Sequence, residues 1–423
     1  MNTMTWAIII FAVTYILLML LPKIRAYIAL GSAFIFVVTG ILPVTKLFQS
    51  VDWNVLMMIA GTMGVVYLFI ESQMPSLLAD IIIRKLPNVK WVIIALSFFA
   101  GIISAFVDNV ATVLMVAPVA LVICKKLNIS PVKSIIAIAI ASNLQGAATL
   151  VGDTTSILLG GYADLNFLDF FLYRGKMGMF FVVEISAIMA TFVLLWVFRK
   201  DTVKVDIKGD TVVKDYFPSI MLVGMVLGLI IASFIPNTPP AINGIICMVG
   251  LAIAVIRELF KKNFKLVTST FKEIDYFTLL LLGGLFIVIA GITEAGVVDW
   301  LSKAIISVSG DNLFVVYTII VWASVLLSAF IDNIPYIATM LPVVAGMAGI
   351  LGIDPIILYF GLLTGATLGG NLTPIGASAN ITGIGILRKN GYEVKTWDFM
   401  RISVPFTLAA VVTGYLLIWF IWK

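Results

Sequence analysis

The chain has 423 residues, 61% hydrophobic and only 12% charged, with a formal charge of +5. Soluble globular chains carry about 25% charged residues, so this chain lacks the polar material to coat the soluble cores its length would need. It has no histidine, which excludes His proton relays, His-ligated metals and Ser-His-Asp hydrolysis.

The apolar residues gather in runs of about 20, and at about 1.5 Å per residue such a run crosses a bilayer core of about 30 Å. In chain order the first half reads as spans near 6–22, 26–44 and 52–70, then a helical hairpin at 91–124 bent at Asp108-Asn109. Spans near 134–160 and 178–198 follow. The hairpin arms reach only about 22–25 Å, so a re-entrant hairpin is expected rather than two crossings. No basic segment precedes the first run, which therefore reads as a span and not a cleaved leader. The charged stretch 201–218 reads as a cytoplasmic linker. The second half has spans near 219–235, 240–256 and 276–292, a hairpin at 313–345, and spans near 356–384 and 404–422.

The two halves repeat. Ser104-Ala105-Phe106-Val107-Asp108-Asn109 returns as Ser328-Ala329-Phe330-Ile331-Asp332-Asn333, and the same offset relates Pro118 to Pro342, Gly146 to Gly370, Thr149 to Thr373 and Gly152 to Gly376. The expected fold is thus an all-α polytopic membrane protein of two repeats, 1–200 and 219–423. Each repeat has about five transmembrane helices, one of them broken (134–160 and 356–384), plus a re-entrant helical hairpin. Five is odd, so the second repeat is expected to be inverted. With the N-terminus outside, 22 of the 27 basic residues fall on the cytoplasmic side, as the positive-inside tendency requires. On that reading Lys and Arg are mainly topology anchors, Arg25 being counted among those on the cytoplasmic side, and the +5 charge indicates no nucleic-acid partner.

Carboxylates at membrane depth are costly, about 2.5–3.5 kcal/mol per Asp on insertion scales, and they mark ion or proton pathways. Asp108, Asp153 and Asp332 lie in apolar surroundings. Helix capping alone would suit Asp-Asn, but its doubled placement points to two tips meeting at the midplane. The second constellation is 146–156 and its counterpart 370–380, where Gly, Pro and hydroxyl residues interrupt apolar runs. Broken backbone is tolerated at that depth only inside protein or beside a wet cavity; its freed carbonyls suit a cation and its half-helix N-termini an anion. Small-residue helix packing is the blander reading, and Gly283-Gly284 suits it. Cys124 and Cys247 read as buried small hydrophobes. Glu71 and Glu294 read as interfacial first and proton-relay candidates second, and Glu184 as paired helix to helix.

The segments SAFVDNVATVLMVAPV, TLVGD, SAFIDNIPYIATMLP and GGNLTPIGASAN resemble the ion transporter superfamily. The likeness is nearest to its arsenite permease, NhaD sodium–proton antiporter and P-protein branch, and more distant to the divalent anion–sodium symporters, with a citrate-transporter-like domain in common. The resemblance implies that hairpin tips and broken helices form the central site and move as an elevator-like bundle. Carried over by position, Asp108, Asn109 and Thr112 would face Thr149, Gly152, Asp153 and Thr154, while Asp332 and Asn333 would face Thr373, Gly376, Ser378 and Asn380. Asp108, Asn109, Asp153, Asp332 and Asn333 are the Na⁺ candidates. The symporters carry Ser-Asn-Thr at their hairpins; the Asp-Asn tips here weigh against a dicarboxylate. A homodimer is also implied, with no residue marking its interface.

The expected function is a secondary active transporter of the plasma (inner) membrane. It would move a small anion or weak-acid solute, of carboxylate or arsenite type, coupled to Na⁺ or H⁺ and without an enzymatic cofactor. Its partners would be that small inorganic or organic ion and the lipid bilayer. A Na⁺/H⁺ antiporter using the same aspartates is the alternative, and a passive channel stays open. An intramembrane aspartyl protease would need a GxGD motif, and Leu150-Val151-Gly152-Asp153 lacks its first glycine.

Overall fold

The computed structural model describes residues 2–205 and 211–423; Lys208, counted above among the linker's basic residues, lies outside them. The first half folds as α1 (Thr3–Leu20), α2 (Arg25–Val38), the single turn α3 (Leu47–Ser50), α4 (Trp53–Glu71), α5 (Met74–Arg84), α6 (Val89–Ser104), α7 (Asn109–Lys126), α8 (Val132–Gly146), α9 (Thr154–Tyr162) and α10 (Met179–Val197). The second half repeats this series as α11 (Phe217–Ser233), α12 (Ile242–Phe260), α13 (Phe264–Lys272), α14 (Tyr276–Glu294), α15 (Val297–Ser309), α16 (Leu313–Ser328), α17 (Asn333–Leu351), α18 (Ile356–Gly369), α19 (Ser378–Lys389) and α20 (Thr396–Trp422). A two-residue hairpin, β1 (Leu172–Tyr173) with β2 (Lys176–Met177), precedes α10. Eight helical segments among the described residues are long and apolar enough to cross a membrane, and the chain is an integral membrane protein.

The helix starts follow local chemistry, and they do so twice. Asp52 caps α4 by accepting from Val55 N at 3.0 Å, and Asp275 caps α14 through Thr278 N at 3.0 Å. Asn88 caps α6 and Asn312 caps α16 in the same way. Such side-chain acceptors satisfy amides that have no partner inside the helix. Where the chain departs from the expected spans, the cause is local. α2 stops at Val38 rather than near 44, because the chain turns through Gly40 in the left-handed region (φ +73°). α20 starts at Thr396 rather than near 404, with Asp398 in its first turn where the helix dipole favours an acid.

The repeats interlock. α2 packs on α14 and α4 packs on α12, so each half's third long helix lies against the second helix of the other half. Glycine permits both approaches: a Cβ on Gly61 would sit 2.5–2.7 Å from Cys247, and one on Gly284 would sit 2.8 Å from the backbone of Ala29 and Leu30. Cys247 and Cys124 are buried and free, as expected of small hydrophobes. The rest forms a bundle in which α6 pairs with α8, α16 with α18, and α10 with α20. All 14 residues of α18 are buried, whereas α1 buries only Ala7, Thr14 and Leu18. Both helices are apolar all round, so one is enclosed by protein and the other faces lipid.

The linker docks on the first half through Lys90 N to Asp201 O (2.8 Å) and Thr211 N to Asp80 Oδ2 (3.1 Å). At its end Asp215 accepts from Arg257 at 2.5 and 3.1 Å and from Lys261 at 2.8 Å. The Arg257 hydrogen bonds hold the Asp215 carboxyl well below the usual carboxylate range.

Candidate transport site

Each Asp-Asn tip stands between two helices, at the start of α7 or α17. Asp108 Oδ2 accepts from Val110 N (2.9 Å) and Ala111 N (3.2 Å), and Asp332 Oδ1 accepts from Ile334 N (3.1 Å). The capping role is therefore real, and both carboxylates also face a common cavity. The adjacent asparagines point inward. Asn109 Oδ1 accepts from Ser104 Oγ (2.7 Å), its Nδ2 donates to Asn143 Oδ1 (3.3 Å), and Ser328 Oγ donates to Asn333 Oδ1.

The polar interruptions lie where α8 gives way to α9 and α18 to α19. Thr149 donates to Ala105 O and Thr373 to Ala329 O, tying each break to its own tip. At Gly152 the carbonyls of Ser104, Ala105 and Gly146 converge, and at Gly376 those of Ser328, Ala329 and Gly370 do the same. Beside these nests Ser156 Oγ and its repeat counterpart Asn380 Oδ1 are buried without a protein partner. The two breaks are also stitched together. Asn143 donates to Thr367 O (2.8 Å), Asn371 donates to Ile140 O (2.9 Å), and Thr155 Oγ1 lies 3.0 Å from Thr367 Oγ1 and donates to Asp153 Oδ2 at 2.8 Å.

A cavity of about 430 Å³ brings together Asp108, Asn109, Asp153, Thr154, Asp332, Asn333, Gly376 and Ser378. The other expected residues stand behind its wall: Thr149 and Thr373 hold the tips, Gly152 lines a small adjoining recess, and Thr112 and Asn380 are buried. The cavity extends to Glu71, Glu273 and Asp275, whereas Asp52, the repeat counterpart of Asp275 at the other end of α4, lines separate recesses. Two equivalent halves thus line one shared cavity, which extends toward one end of α4 only.

Arg25, which the charge distribution reads only as a topology anchor, also faces this cavity. Its guanidinium pairs with Asp332 inside the cavity, because the tip before α17 ends against the start of α2. Sequence reading placed Arg25 just before a span near 26–44; the structure makes it the first residue of α2, where a cation opposes the helix dipole. Glu294 is half-exposed and pairs with Lys46 at 2.7 Å. The pairing expected of Glu184 is not formed among the described residues, in which it has no hydrogen-bonded or ionic partner.

A membrane-embedded helical fold whose polar groups converge on one cavity suits a transporter, and the family and relatives of this chain are membrane transporters, not enzymes. The chain belongs to the citrate transporter family, whose model, described as "Citrate transporter", matches residues 6–365. The family lies in the ion transporter superfamily of arsenite permease and NhaD type. A Mycobacterium bovis protein described as an uncharacterized transporter is 30% identical over 427 residues, covering 98% of this chain and 97% of that protein. The mouse P protein is 25% identical over 459 residues, covering 88% of this chain and 54% of that longer protein. Among solved structures, the YdaH transporter of Alcanivorax borkumensis aligns with a TM-score of 0.62 at 15% identity, covering 88% of this chain and 86% of that one. The Neisseria gonorrhoeae MtrF structure aligns at 0.56 and 13% identity, over 99% and 94%. Both likenesses concern the fold.

Proposed function

We propose that the protein carries a small carboxylate across the plasma membrane, coupled to Na⁺ or H⁺, by elevator-like alternating access. The observation that carries this reading is the convergence of both Asp-Asn tips and both broken helices on one cavity that also holds a guanidinium. The first residues of α9 and α19, Thr154 and Ser378, line the cavity, and helix N-termini with hydroxyl donors suit an anion. The carbonyl nests at Gly152 and Gly376, with the orphaned oxygens of Ser156 and Asn380, suit a dehydrated monovalent cation held near Asp108, Asn109, Asp153, Asp332 and Asn333. The interlocked helices α2, α4, α12 and α14, with α1 and α11 outside them, form the scaffold, and the bundle of hairpins and broken helices moves against it. The repeats are inverted and the N-terminus lies outside, as the distribution of basic residues favours. The cavity opens at the end of α4 that carries Glu71, which on this orientation is the cytoplasmic face.

The six lining carboxylates favour a second reading, Na⁺/H⁺ exchange without an organic solute. Reconstitution in proteoliposomes separates the two, with citrate, an imposed Na⁺ or pH gradient and an internal pH dye. Gradient-driven citrate uptake supports the symporter, and Na⁺-driven proton efflux without any added anion supports the exchanger. In either case Asp108→Asn and Asp332→Asn are expected to abolish coupled transport while the protein still inserts. Normal coupling in both variants removes the site.

A further inference from the structure

We propose that Arg25 is the carboxylate-anchoring residue that sets specificity, and that Asp332 withholds it from the solute until the coupling cation neutralises Asp332. This rests on the carboxylate reading above.

Among the described residues lining the cavity, Arg25 is the only cation, facing Glu71, Asp108, Asp153, Glu273 and Asp275 as well as its partner Asp332. An anion entering so acidic a space needs a fixed positive group, and one is present. The Arg25 side chain is 17% exposed and that of Asp332 27%, so the pair is shielded but reachable from the cavity. Asp332 engages one terminal nitrogen, while the buried Nε has no hydrogen-bond partner among the described residues. Asp332 thus leaves guanidinium donors uncommitted, and a planar fork with free donors matches a carboxylate.

The placement argues against a purely structural role. Arg25 is the first residue of α2, the end of a helix where a cation is disfavoured. The repeat counterpart, α12, begins with Ile242, so the architecture forms this helix start without a charge. Asp332 is also the cap of α17, which fixes its carboxylate whether or not Arg25 is bound. Neutralising Asp332 with Na⁺ or a proton thus leaves the acid in place and frees the guanidinium to turn to the solute. Cation would bind first and carboxylate second, and the order follows from one ion pair.

The test uses the full-length protein in detergent and in proteoliposomes, with radiolabelled citrate as probe. Wild type is compared with Arg25→Lys, Arg25→Gln, Asp332→Asn and the Arg25→Gln/Asp332→Asn pair. Wild type is expected to bind citrate only with Na⁺ present or at lowered pH. Arg25→Gln is expected to raise the Kd and KM for citrate about 10- to 100-fold with a smaller change in kcat, the scale of a lost charge-assisted hydrogen bond. Arg25→Lys falls between, keeping the charge without the fork. Asp332→Asn binds citrate without Na⁺ or acid, although coupled uptake is lost. The double variant leaves neither charge unpaired, which guards against misfolding, and is expected to bind weakly and without cation dependence. Wild-type citrate affinity in Arg25→Gln or in the double variant overturns the inference, as does unchanged cation dependence in Asp332→Asn, and the carboxylate reading survives either result. A wild type that binds no citrate yet exchanges Na⁺ for H⁺ overturns that reading and this inference with it.

Discussion

Asp108 and Asp332 each satisfy backbone amides at the start of a helix and present a carboxylate to the cavity. Capping and cavity lining are thus the same placement used twice. Gly152 and Gly376 answer a different demand. A Cβ on either would meet backbone carbonyl oxygens at 2.5–3.0 Å, and these cannot move aside as a flexible side chain could. Gly152→Ala and Gly376→Ala are each expected to cost about 1–3 kcal/mol through overpacking. Detergent melting should show the loss, and cation-dependent binding should fall more steeply than overall fold, since those oxygens form the nest. The doubled Asp-Asn was legible in the sequence because an acid in an apolar run has few benign explanations. Arg25 was not, because at the edge of a span it carries the same signal as any topology anchor, and only folding brings the tip before α17 to it.

Helical elements divide by how much of their identity is local. The broken helices were legible, since Gly, Pro and hydroxyl residues inside long apolar runs have a direct backbone consequence. The amphipathic helices α5, α13 and α15 were not foreseen, as each is too short and too polar to register as a crossing. The linker's end behaves as an element too, clamped between Asp215 and Arg257. The Asp215 carboxyl is depressed by that arginine, so its contribution is complete above the unfolded carboxylate range and is lost only as pH falls through the lower folded value. Hydrogen exchange in 211–217 should therefore be equally protected from pH 9 to about 5 after correction for intrinsic rates. Asp215→Asn should be less protected throughout that range, without a pH step of its own.

At the scale of the whole molecule, the offset of the repeats said which helices correspond but not which ones touch. Correspondence is written in one chain's order, whereas the crossing of α2 on α14 and α4 on α12 depends on how the halves embrace. That division of the helices separates charges that share one cavity. Asp108, Asp153 and Asp332 belong to the bundle proposed to move, and Arg25 belongs to the scaffold that stays. The travelling part, when empty, carries up to three negative charges through the membrane potential, worth about 2.3 kcal/mol per charge per 100 mV for a full crossing. The empty return should therefore be the voltage-sensitive step of the cycle. Pre-steady-state currents on solid-supported membranes should show charge movement without citrate, diminished in Asp108→Asn and absent when saturating cation fills the site. A carrier built with its cation-binding acids on the mobile side and its lone guanidinium on the fixed side is, in electrical terms, a gating charge that doubles as a binding site.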